Sequence, residues 1–349
     1  TGKIIKDDSG TPVYIPGTLK SVKAIGWFIE EYGVAQISMN LTNIQVTPVH
    51  VAFDEVCKKA TERGIRVTGS ELIGLIPLQC MLDAGRYFLT KQQRSTGVSE
   101  RELIKIAIKS LGLDELAPFK PEERIIEYLL ENGSCNPLIK LNLSDFADET
   151  ASESPAPGGG SISAYVGSLG ISLGTMVANL SAHKPGWDNR WESFSSWAEK
   201  GQHYKKQLLK MVDEDTHAFN KIMLAFGLPK STEEEKKERT NKIQEATRYA
   251  TEVPFEVMNI CYRSMEVIKE MAESGNPNSI TDAGVGAICA SAAISGAFLN
   301  VKINASGLTD KAFAKKLIEE GNVIQERAKM LEETILNAVN SKIPIHVDS

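Results

Sequence analysis

The sequence predicts an α+β domain followed by an all-α helical bundle. Three observations carry that reading. Over residues 1–130, strand-like and helix-like periods alternate, the pattern of a mixed domain. A turn-rich stretch without periodicity, ENGSCNPLIKLN at 131–142, interrupts the chain. Beyond it, apolar residues recur at spacings of three and four through five long stretches, as in a bundle. The expected boundaries are 1–134 for the mixed domain, 135–141 for a linker and 142–349 for the bundle.

In the mixed domain, residues 18–32 read as a helix on the spacing of Leu19, Val22, Ile25 and Ile29, closed by Gly33. Residues 34–40 read as a strand. A helix begins at Pro48, runs through Phe53, Val56 and Cys57, and stops at Gly64. A strand at 65–68 and helices at 78–89, 99–111 and 121–130 complete the domain. In the bundle the helices are expected at 159–181, 190–226, 233–273 with a break at Pro254, 281–300 and 310–340. The run EEEKKER at 233–239 reads as the solvated start of one of them.

The length of 349 residues suits two domains, each with its own core. A net charge of −6 argues against nucleic acid as a partner. Five cysteines, Cys57, Cys80, Cys135, Cys261 and Cys289, show no CxxC pair, and the five histidines form no HExxH motif. That pattern fits a reducing, cytoplasmic setting without a metal site or a disulfide framework. Residues 161–182 and 283–305 approach membrane-spanning length, but their small and polar residues favour buried helices over lipid. Thr1 is not a start methionine, which points to a longer gene product.

One stretch stands out for chemistry: MVDEDTHAFN, 211–220. On a helix, Leu208, Met211, Val212, Ala218, Phe219, Ile222 and Phe226 form one stripe. Asp215 falls inside it, four residues from both Met211 and Phe219. A carboxylate in an apolar stripe is costly unless it is paired or used, and burial raises its pKa towards that of a proton acceptor. A buried Asp bonding a neighbouring hydroxyl or capping a helix satisfies the same pattern. Asp213 and His217 face elsewhere and read as a surface pair.

A second feature is SPAPGGGSISA, 154–164, where Gly158, Gly159, Gly160 and Ser161 precede or open a helix. Backbone N–H groups at a helix start hold anions or polar heterocycles, and consecutive glycines allow close approach. A linker with Ser161 as an ordinary N-cap is the plainer alternative. Gly167, Gly170, Gly174, Gly284, Gly286, Ala290 and Gly296 point to close helix packing. Asn179, Asp282, Asn300 and Asn304 interrupt apolar helices as hydrogen-bonders or caps.

Taken together, SESPAPGGGSISA, VDEDTHAFNKIMLAFGLPKSTEEEKKERT, ESGNPNSITDAGVGA and LNVKINASGLTD resemble, in order and spacing, the formimino-tetrahydrofolate cyclodeaminase family across 142–340. In the first domain, VAQISMNLTNIQVTPVHVAFDEVCKKA, VTGSELIGLIPLQCMLDAG and PFKPEERIIEYLL resemble the C-terminal subdomain of glutamate formiminotransferases. The whole resembles the bifunctional fusion of the two, starting within its first domain. The resemblance implies a ferredoxin-like first domain and a dimer built through the helical domain, with further assembly in the bifunctional form.

It also implies an activity: closure of 5-formimino-tetrahydrofolate to 5,10-methenyl-tetrahydrofolate with release of ammonia. No metal or redox cofactor is implied. The family's proton acceptor is the second Asp of a D-x-D-x-x-A-F pattern, here Asp215. Folate-contacting candidates are Gly158, Gly159, Gly160, Ser161, Asp282, Asn300 and Asn304. Lys184 and Arg190, or Lys205 and Lys206, are candidates for a polyglutamate tail. The transferase subdomain bearing the catalytic histidine has no counterpart in these residues, and His50 does not replace it, so transferase activity is not expected of this chain alone. Two alternatives remain: a methenyl-tetrahydrofolate cyclohydrolase on the same scaffold, and a non-catalytic folate-binding or oligomerisation module.

Overall fold

The computed structural model describes residues 4–13, 17–131 and 138–344. The chain divides into two compact units, Thr1–Phe88 with Glu100–Asn132, and Leu89–Ser99 with Gly133–Ser349. The segment 89–99 thus belongs with the helical unit, although the expected boundary places it in the first domain. The expected linker lies partly outside the described residues, at 135–137; Leu138–Lys140 form a turn.

The first unit holds strands β1 (Val22–Ile29) and β2 (Val34–Leu41), helix α1 (Val49–Thr61), helix α2 (Leu78–Lys91) up to Phe88, and helices α3 (Glu100–Leu111), α4 (Pro121–Arg124) and α5 (Ile126–Glu131). The strands form an antiparallel hairpin in register from Val22↔Leu41 to Ile29↔Val34. The helix expected at 18–32 is therefore a strand for most of its length. Its residues are β-favouring Val, Ile, Trp and Phe, and pairing with β2 across Gly33 (φ 64) overrides the three-residue spacing.

The strand expected at 65–68 is absent, because the Ile65 N–H closes α1 by donating to the Ala60 carbonyl at 2.9 Å beyond Gly64 (φ 70). The helix expected at 121–130 breaks at Ile125. This residue is fully buried and extended, and its neighbours exchange backbone hydrogen bonds with Ile76. Among the described residues the unit has one two-stranded sheet, so the α+β class holds while a ferredoxin-like sheet is not seen.

The helical unit contains α6 (Leu143–Thr150), α7 (Gly159–Ala182), α8 (Trp191–Phe226), α9 (Glu233–Ser274), α10 (Ile280–Ser306) and α11 (Lys311–Asn340). Five match the expected stretches closely; α6 is too short to show a period. Close approaches fix the register. A β-carbon on Gly170 would lie 2.8 Å from the Gly286 carbonyl oxygen, and one on Gly286 would lie 2.8 Å from the Gly170 oxygen. Further along the same pair, Gly159 faces Asn300 and Ser163 faces Gly296, so α7 and α10 run antiparallel. Gly160 meets Asp215 and Gly201 meets Thr175, so α7 and α8 are antiparallel as well.

The core includes Ile171, Val177, Phe194, Leu208, Met258, Met265, Ile294 and Phe298. Two helices, Gly159–Ala182 and Pro277–Ser306, are long and apolar enough to cross a membrane, but 61% and 56% of their apolar windows are buried in this core.

Pro254 does not break α9. Proline lacks the N–H that would bond the carbonyl four residues back, that of Ala250. Asn304 supplies the missing donor, its side-chain Nδ2 lying 2.7 Å from the Ala250 oxygen.

Candidate active site

The site is built where the start of α7 meets the middle of α8. Helix α7 begins at Gly159 with Gly158 as its N-cap, earlier than an N-cap at Ser161 requires. Ser161 is therefore in the first turn and is fully buried. Its N–H is one of the donors that a helix start leaves without an intrahelical partner. It donates to Asp215 Oδ2 at 2.8 Å.

The Ser161 hydroxyl donates to the Val212 carbonyl at 2.8 Å and lies 3.1 Å from the same carboxylate oxygen. On the other side, a β-carbon at Gly160 would be 2.1 Å from Asp215 Oδ1. Only glycine lets the carboxylate approach this closely. Asp215 is partly buried, and burial raises its pKa above the ordinary 3.8, opposed by the two hydrogen bonds from Ser161.

The carboxylate accepts from the Ser161 N–H. The Ser161 hydroxyl, shared between the Val212 carbonyl and Asp215 Oδ2, is a second donor that favours the ionised form. Asp215 thus caps the first turn of α7 by accepting the Ser161 N–H, the plainer of the two roles its place in the apolar stripe allows.

Asn300 closes the third side. Its Nδ2 donates to the Gly296 carbonyl at 3.1 Å and would lie 3.1 Å from a β-carbon on Gly159. Gly158, Gly159, Gly160, Ser161, Asp215 and Asn300 are thus gathered at one end of the bundle.

A family model described as Formiminotransferase-cyclodeaminase matches residues 142–322. The chain belongs to the formiminotransferase-cyclodeaminase family. A second model, Formiminotransferase domain, matches residues 2–131. The chain is 34% identical over 328 residues to the formimidoyltransferase-cyclodeaminase of Rattus norvegicus, covering 94% of this chain and 60% of that protein. The corresponding protein of Gallus gallus is 37% identical over 322 residues, covering 92% and 59%. The chain therefore spans about 60% of the length of these relatives.

A methenyltetrahydrofolate cyclohydrolase of Methylorubrum extorquens is 39% identical over 201 residues, covering 58% of this chain and 97% of that enzyme. Among solved structures, the formiminotetrahydrofolate cyclodeaminase of Thermotoga maritima superposes with a TM-score of 0.52 at 26% identity, covering 58% of this chain and 97% of that one.

Other expected residues of this family member lie elsewhere. Asp282 is about 27 Å along α10 from Asn300 and is not brought to Asp215. Lys184 and Arg190 follow the far end of α7, about 36 Å along its axis from Gly159. There Lys184 Nζ lies 4.0 Å and the Arg190 guanidinium 4.4 Å from the Trp187 ring centre, in cation–π contacts. Lys205, on α8, is half-buried and donates to Gln202 Oε1 at 2.5 Å. Asn304 is one turn from Asn300, but its side-chain N–H is engaged at Ala250.

Asp213 is not a surface residue, although the charge of His217 does act on it, opposing the rise in its pKa. It is 6% exposed and accepts from the Leu138 N–H at 3.2 Å, and burial raises its pKa. The turn at 138–140 covers that side of α8, and nothing in the local spacing reveals it. His217 is exposed. One neighbour without any signal in the spacing is Tyr249 on α9. Its hydroxyl donates to Glu214, next to Asp215, while Lys221 Nζ lies 3.9 Å above its ring. Among the described residues no group of three His, Cys, Asp or Glu side chains forms a metal cluster.

Proposed function

We propose that the helical unit closes the folate ring of 5-formimino-tetrahydrofolate and releases ammonia, with Asp215 as the proton-transfer group. The observation that carries this is the partly buried carboxylate held by Ser161 against the glycine start of α7, with its pKa raised. In the reaction, N10 of the folate attacks the formimino carbon and a C–N10 bond forms. The N10 proton passes to Asp215. Asp215 then returns it to the formimino nitrogen, the C–N bond to that nitrogen breaks, and ammonia leaves.

The positive charge of the protonated amidine stays on the N5–C–N10 unit of the product. A group that must first accept and then donate works best with a pKa near ambient pH, and burial moves Asp215 in that direction. The helix ends would add geometry, holding N10 against the carbon. No metal or redox partner is needed for these steps. The first unit is read as part of a transferase domain on its family match, with the ferredoxin-like fold resting on the resemblance alone and not on the one two-stranded sheet among its described residues. A reducing, cytoplasmic setting belongs to this reading, supported by cysteines that form no CxxC pair.

The second copy expected of a dimer would pack on the outward faces of α7 and α10. These faces leave Leu169, Met176, Leu180, Val285 and Ile288 exposed. Light scattering at micromolar concentration tests that pairing.

A second reading is cyclohydrolase chemistry, favoured by the 39% identity to the Methylorubrum enzyme. There water attacks the methenyl carbon and no ammonia is formed. The transferase match at residues 2–131 favours a formimino substrate. An assay of ammonia from 5-formimino-tetrahydrofolate beside hydrolysis of 5,10-methenyl-tetrahydrofolate separates the two. Ammonia release without comparable hydrolysis supports the first reading, and hydrolysis alone overturns it.

A further inference from the structure

Ser95, Thr96 and Gly97 are three successive buried residues in a connecting segment whose flanks, Arg94 and Ser99, are exposed. Connecting segments normally run over the surface, because their backbone polar groups need partners. Here the partners are side chains of α7 and α8. The Ser95 N–H donates to His183 Nε2 at 3.1 Å, and its hydroxyl donates to Asn179 Oδ1 at 2.7 Å. The Thr96 N–H donates to Ser195 Oγ at 2.9 Å, and its hydroxyl donates to Glu199. The Gly97 carbonyl accepts from Asn179 Nδ2 at 2.9 Å and Gln202 Nε2 at 3.1 Å. A β-carbon on Gly97 would lie 2.2 Å from the Ala198 β-carbon, so the third position admits glycine alone.

We infer that the groove between the C-terminal end of α7 and the N-terminal end of α8 is a peptide-recognition site, and that its occupant is the Ser95-Thr96-Gly97 segment of this chain. Two backbone N–H groups and one carbonyl are read by side chains. The hydroxyls of Ser95 and Thr96 are matched by an amide and a carboxylate, and the glycine is read by exclusion. The readers are spread over two helices: Asn179 and His183 on or just beyond α7, and Ser195, Glu199 and Gln202 on α8. The occupant therefore pins the same two helices that meet again at Gly160 and Asp215. The inference stands apart from the folate chemistry, since none of these residues belongs to the proposed site.

The test uses the full chain. Hydrogen exchange on the wild type should show the Ser95 and Thr96 amides protected like those within α8. Ser195→Ala should speed exchange at Thr96 at least about tenfold while α10 and α11 stay protected. Gly97→Val should empty the groove. A labelled, end-blocked peptide of residues 93–99 should then bind the variant but not the wild type, and the same peptide with valine for glycine should bind neither. Wild-type amides at 95 and 96 exchanging at the rate of an unprotected backbone amide would overturn the inference. So would failure of the peptide to bind a Gly97→Val chain that keeps its helical content.

Discussion

Gly160 and Asp215 are matched by exclusion: a β-carbon at residue 160 would stand 2.1 Å from the carboxylate oxygen of residue 215. Gly160→Ala should therefore displace the carboxylate and lower turnover by at least about tenfold. Gly158→Ala should cost little, because its β-carbon would meet nothing nearer than the Pro155 oxygen at 4.0 Å and the N-cap backbone is extended. Ammonia release by the two variants, side by side, checks the pair.

Asp215→Asn should abolish ammonia release, a loss of roughly 10²–10⁴-fold for a lost acid–base group. Its effect on stability should be opposite in kind. A carboxyl with a raised folded pKa holds its proton more tightly in the fold than in the unfolded chain. Ionised Asp215 therefore costs stability as pH rises from the ordinary 3.8 through the folded value. The variant should melt at or above the wild-type temperature at neutral pH, and the gain should vanish below about pH 3.8. A variant that melts lower at neutral pH would mark Asp215 as structural only.

The acid limb of the pH profile should report the same group. Activity should fall as pH drops through the raised pKa, because the base becomes protonated. The Ser161 side chain favours the ionised form, so Ser161→Ala should move that limb to higher pH. A limb that stays in place, or moves down, would remove Ser161 from the control of this proton.

Asn304 and Pro254 should be energetically coupled. Asn304→Ala should destabilise by about 1–3 kcal/mol, leaving the Ala250 carbonyl without its donor. In a Pro254→Ala background the restored N–H can serve that carbonyl, and the same Asn304→Ala change should cost much less. Urea unfolding of the four proteins of the cycle gives the coupling directly.

How much of this is legible in the sequence depends on how local its cause is. The five long helices are, because burial of one face imposes a period that any window reveals. Asp215 is, because a carboxylate inside that period is conspicuous, and Gly159 and Ser161 are, because they open a helix. Asp213 is not: the turn that covers it begins at Leu138, 75 positions away, and carries no mark of its destination. Asn304 reads as a hydrogen-bonder, but its acceptor depends on a proline in another helix. The strand at 22–29 reads as a helix because its pairing with β2, rather than its own spacing, decides its shape.

The mutual backbone contact of Gly170 and Gly286 has a reach beyond its own position. It is the fulcrum about which α7 and α10 are levelled, with the Gly159–Asn300 end about 16 Å down the axis. Any bulk inserted at the fulcrum tilts one rod against the other, and the tilt is magnified where Asn300 faces the first turn. The alignment of a reactive centre can thus be lost through a methyl group that never comes near it.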